Sequence, residues 1–159
     1  MKTQFPTIAA LGLSLAVGAA GTASRVQAHS SATGVVKERM EMMKGMGEAM
    51  KAMGPMFKGE TPFDAGVVAE KAAHVAEHAR RIPAMTPEGS MDHPSEALPI
   101  IWEDWDGYVE HAEKLAKEGA ALQEIASNGA DEAETRAQFL AVSKTCGGCH
   151  DKFRKPKDK

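Results

Sequence analysis

"IIWEDWDGYVEHAEKLAKEGAALQEIAS", residues 100–127, returns to an apolar residue every three or four positions. Ile101, Trp105, Tyr108, Ala112, Leu115, Gly119, Leu122 and Ala126 keep a 4-3 alternation along its length, which is the seam of a helix packed nearly parallel to its neighbours. Asn128-Gly129 closes the segment, because glycine accepts the left-handed conformation that ends a helix. No stretch of any length shows the apolar/polar alternation of a half-buried strand.

Three further segments carry the same period. From about Thr33 to Gly54, Val36, Met43, Met46, Met50 and Met53 fall on one face, and Gly54-Pro55 is expected to stop the helix. From Asp64, an N-cap, to Arg81, the stripe is Val68, Ala72, Val75, Ala79 and Ile82, with Pro83 ending it. Asp131 caps the last segment, which contains Ala133, Ala137 and Leu140 and fades near Pro156. Between the second and third lies "PAMTPEGSMDHP", residues 83–94, whose prolines and Gly89 exclude regular structure and leave a connection long enough to cross a bundle. The expected fold is all-α, an up-down four-helix bundle. Aromatic residues make up only 5% of the chain, so a core of Ala and Met leaves volume that an apolar body between the helices would fill.

The first 28 residues have the order of an export signal: Lys2 in a short polar start, an apolar run from about Ile8 to Ala20, then Val26-Gln27-Ala28 as the small-x-small cleavage pattern. That run is too short to span a membrane, and no later stretch approaches the length required. A signal peptide over 1–28 is therefore expected to be removed, leaving residues 29–159 as one domain delivered to the periplasm. Its loss removes Lys2 and Arg25 and no acid, taking the formal net charge from −3 to −5. A mildly acidic chain whose basic cluster is confined to Lys152–Lys159 lacks the footprint of a nucleic-acid binder.

The only two cysteines stand together in "TCGGCHDKFR", residues 145–154. Cys146-Gly147-Gly148-Cys149-His150 is the C-x-x-C-H pattern of covalent haem attachment. On a helix, positions 146, 149 and 150 share one face. Both thiols would add to the porphyrin vinyl groups as two thioether bonds while His150 reaches the iron from the same side. The rival readings are weaker. A disulfide across two residues closes too small a loop to be a useful staple, a thioredoxin-like pair needs a βαβ context, and a zinc site needs a fourth ligand that the chain does not offer nearby. One haem c is therefore the expected cofactor. His74 and His78, four apart, have the spacing of a metal clasp but lie off the apolar stripe of their helix without a third ligand, and are expected to flank solvent.

With this motif near the end of a four-helix pattern, the chain resembles the class II cytochromes c, the cytochrome c′ family, over residues 31–156. The residues that carry the resemblance are "CGGCHDKFR", "KERMEMM" (37–43), "KGETPFD" (58–64) and "PIIWEDW" (99–105). The resemblance implies that the distal side of the iron is faced from the first helix, four places after an arginine. Counting from Arg39, that position is Met43. In some family members an apolar residue there leaves the iron five-coordinate, and in low-spin relatives a methionine ligates it. The resemblance also places Arg39 and Arg154 near the haem, where a guanidinium would pair with a propionate, and it implies either a monomer or a homodimer formed through the first helix.

Two functions follow, and neither needs catalytic residues. With Met43 as a sixth ligand, the iron would be saturated and suited to one-electron transfer with redox partner proteins, and this is the expected function. With Met43 only guarding an open site, the protein would bind nitric oxide or carbon monoxide. A third reading takes the seven methionines from Met40 to Met56 as a thioether-rich Cu(I) site, against which their helical spacing is explained by packing alone.

Overall fold

The computed structural model describes residues 32–156; the export signal expected over residues 1–28 lies outside them. The elements are α1 (Gly34–Phe57), α2 (Ala65–Arg81), a single-turn α3 (Ile100–Glu103), α4 (Trp105–Ser127) and α5 (Glu132–Phe153). Among the described residues there is no strand, only one antiparallel bridge between Ala97 and Arg154. The four long helices form the expected bundle: α2 packs along α4, α4 along α5, α1 along α2, and α1 meets α5 only sparsely.

Both aspartate caps form as expected: Asp64 Oδ1 accepts from Val67 N at 3.0 Å and Asp131 Oδ1 from Glu134 N at 2.9 Å. The stripe of α2 is fully inside, with Val68, Ala72 and Ala79 at 0% exposure. Gly119 of α4 lies against Ala76 of α2 so closely that a Cβ at 119 would stand 3.1 Å from the Ala76 nitrogen. Small residues on both partners thus bring the two helix backbones together. Leu122 is buried completely beside them, contributing about 1.5–3 kcal/mol.

Two expectations are corrected. Gly54-Pro55 does not stop α1, which continues to Phe57. Proline there removes a hydrogen bond to the preceding turn. Phe57 is nevertheless buried, with its ring 4.8 Å from Phe139 and 6.0 Å from Phe63, and this aromatic cluster holds the last turn in place. Gly59, at φ 73°, then ends the helix. The third segment is also divided: Asp104 breaks regular helix at φ −127°, ψ 57°, with its carboxylate drawn to Lys152 of α5. In the last helix Ala133, Ala137 and Leu140 face outward, Leu140 at 53% exposure. The buried residues are instead Thr135, Val142, Thr145 and Phe153. The two threonines tolerate burial because their hydroxyls donate to the carbonyls of Asp131 and Ala141.

Candidate functional site

The cysteine motif lies within α5, so Cys146, Cys149 and His150 emerge on one side of a continuous helix, as the spacing requires. Both cysteines are free thiols, half-buried against the core. Burial pushes the Cys146 thiol up, and burial together with Cys146 pushes Cys149 up to about 11. Neither is a thiolate at neutral pH, the opposite of the depressed thiol of a redox pair. Among the described residues no group of three His, Cys, Asp or Glu side chains is placed to hold a metal ion.

The helix around the motif is exposed and unobstructed at both glycines. A Cβ built at Gly147 would meet nothing within 4 Å, and one at Gly148 would meet only His111 Cε1 at 3.6 Å. Phe153, a turn further on and buried, sets its ring edge-on to Tyr108 (5.2 Å) and His111 (5.8 Å). Tyr108 in turn donates to or accepts from Thr86 Oγ1 at 3.0 Å. Burial raises the Tyr108 hydroxyl's pKa, and the group senses both the Cys149 thiol and the Arg39 guanidinium.

Arg154 follows one turn beyond His150. Its Nε is buried without a hydrogen bond, its ion pair with Glu96 Oε2 standing at 3.8 Å. An orphaned guanidinium donor beside a C-x-x-C-H motif fits a carboxylate such as a haem propionate. Together with the paired thiols and the bare glycine edge, it makes this end of α5 chemically suited to a covalently held haem.

On α1, Met42, Met46 and Met53 are buried and Met43 and Met50 half-buried against the same core as both cysteines. The burial of Met42 was not legible from the sequence stripe, which ran through Met43. Core packing accounts for these thioethers without copper. Arg39 is engaged by the crossover. At 5% exposure, its two terminal nitrogens make four hydrogen bonds, all to the crossover: Nη1 to Met85 O (3.0 Å) and Ser90 Oγ (2.8 Å), Nη2 to Ser90 O (2.6 Å) and Ser95 Oγ (3.0 Å). Desolvation lowers its pKa, though a guanidinium remains charged. These partners lie 46 to 56 residues away in the chain, so no local pattern announces them.

His74 and His78 are half-buried rather than solvent-flanking. Their rings lie 4.0 Å apart, His78 Nδ1 is 2.9 Å from His74 O, and His74 Nε2 lies against Gly45 of α1. Desolvation, then the neighbouring His78, lowers the His74 pKa. His74 thus packs into the α1–α2 contact, with the His78 ring beside it. Trp102 donates to Thr86 O at 3.3 Å, and no described helix is long and apolar enough to cross a membrane.

Comparison with known proteins agrees with this geometry. The family model for cytochrome c′ matches residues 34–154. A cytochrome c′ of Halomonas halodenitrificans is 40% identical over 60 residues, covering 38% of this chain and 46% of the relative. The chain spans about half the length of the first curated relatives it matches. Among solved structures, cytochrome c′ from Rhodopseudomonas palustris superposes with a TM-score of 0.74 at 37% identity, covering 80% of this chain and all of that one. The nitric oxide complex of a cytochrome c′ variant from Alcaligenes xylosoxidans superposes with a TM-score of 0.70 at 27% identity, covering 77% and 94%.

Proposed function

The chain belongs to the cytochrome c′ family, and from that premise we propose that it is a periplasmic haem protein whose iron takes up a diatomic ligand such as nitric oxide. Residues 29–159 act as the mature domain once 1–28 are removed. Cys146 and Cys149 hold one haem c through thioether bonds, His150 is the proximal ligand, and Arg154 pairs with a propionate. When bound, the haem supplies an iron able to exchange one electron or accept a neutral diatomic. The residues of α1 do the rest. Met42, Met43 and Met46 present apolar thioether chains toward the core shared with the motif, which excludes water and charged species while leaving a small neutral molecule free to enter.

The observation that carries this reading is the structural likeness to a family member solved as a nitric oxide complex. It favours the open site over the expected His/Met electron carrier. The electron-carrier reading keeps one observation of its own: Met43 is half-buried and packs against the same core as Cys146 and Cys149, so its sulfur is on the inward side. Carbon monoxide added to the reduced protein separates the two. Saturable binding with a large Soret change is expected, and a spectrum that ignores carbon monoxide would overturn the open-site reading in favour of Met43 ligation.

A further inference from the structure

Helices α1 and α5, which carry Met43 and His150, touch each other only sparsely. A strap of crossover chain joins them instead. At one end Arg39, one turn before Met43 on α1, grips Met85, Ser90 and Ser95. At the other end the residues just after Ser95 pair with the end of α5: Lys155 N donates to Glu96 O at 2.8 Å, Leu98 N to Phe153 O at 3.0 Å, and Ala97 bridges Arg154. Ser95 Oγ also accepts from Ala97 N at 3.2 Å, so the residue held by Arg39 braces the segment that binds α5.

The partners of Arg39 are otherwise difficult to account for. It is a buried cation that enters no ion pair among the described residues, and burying a charge on neutral acceptors is costly unless every donor is engaged. Three acceptor residues spread over the crossover engage it. A forked guanidinium reaching three points fixes the strap's position relative to α1 in two directions, as a lysine cannot.

We propose that Arg39 is a positioning residue: through the Ser90–Leu98 strap it sets the separation between Met43 on α1 and His150 on α5, and thereby how far the distal side of the iron is open. The proposal rests on the haem being held by α5. It does not depend on whether Met43 ligates iron, because either state is governed by that separation.

The test uses the haem-loaded protein. Arg39→Lys keeps the charge but loses the fork, and Ser90→Ala with Ser95→Ala removes two of the acceptors while leaving Arg39 in place. Gln138→Ala is the control, since it breaks bonds to Glu118 between α4 and α5 without touching the strap. The Arg39 and serine variants are expected to raise carbon monoxide affinity, or the high-spin fraction if the wild type is low-spin, by about fivefold or more, the size of an ordinary coupling between sites. Hydrogen exchange of the Glu96 and Leu98 amides should rise with it. The control should lower Tm and leave all three readings unchanged. If the Arg39 and serine variants lower Tm as the control does but leave affinity and spin state within about twofold of wild type, Arg39 is a loop staple and the proposal fails. If Arg39→Lys does not fold, the serine pair decides. A wild type that ignores carbon monoxide would overturn the open-site function alone, since the variants would still be read by their spin state.

Discussion

Two parts of the bundle are built from different materials. Along α2 and α4 the chain sets Ala72, Ala76, Ala79, Ala112 and Gly119 beside Val68, Val75 and Leu122, all buried, and the backbones approach until a single methyl at Gly119 would crowd Ala76. On α1 and α5 the inward residues are mixed: Met42, Met46, Met53, Val142 and Phe153 are buried, while Met43, Met50, Phe139, Cys146 and Cys149 remain half-buried. The first contact is closed by the chain itself. The second leaves soft, adaptable thioethers and two neutral thiols only partly covered. The closest helix approach is thus α2 on α4, and the cysteine motif lies on a helix outside that pair.

The contrast yields a graded set of substitutions. The largest effect belongs to Cys146→Ala with Cys149→Ala, which removes the covalent anchor of the haem and leaves the side chains packed around it facing an emptied site. Thermal unfolding of the matured variant should show a loss on the order of 4 kcal/mol or more, the upper range for emptying a buried site. Leu122→Ala, in the closed contact, should cost about 3 kcal/mol by chemical denaturation because a fully buried side chain leaves a cavity. Gly119→Ala adds only a methyl, yet it should cost about 1–3 kcal/mol in the same assay, since the obstructing atoms are backbone and cannot turn aside. Leu140→Ser, on the outer face of α5, should move stability by less than about 0.5 kcal/mol. A Leu122→Ala variant no less stable than Leu140→Ser would erase the distinction between the two sides.

What the sequence disclosed follows the range of the interactions involved. The stripes of α2 and α4 and the caps at Asp64 and Asp131 depend on residues three or four apart, and they appear as read. C-x-x-C-H is equally local, and it lies on one helix face as its spacing demands. The readings that changed depend on distant partners. Pro55 remains helical because Phe139 of α5 holds Phe57, and Asp104 breaks its helix where Lys152 draws its carboxylate. The inner face of α5 was obscured for another reason: Thr135 and Thr145 count as polar in a periodicity argument, but their hydroxyls are satisfied within the helix.

Mass spectrometry of the chain matured where haem-ligation machinery is present tests the central claim most directly, namely that α5 carries a covalently bound haem at Cys146 and Cys149. The account predicts a polypeptide heavier by one haem that survives extraction with acidified organic solvent, with the added mass on the peptide containing residues 146–149. A chain with the mass of its amino acids alone, its haem passing into the solvent and both thiols open to alkylation, would contradict it.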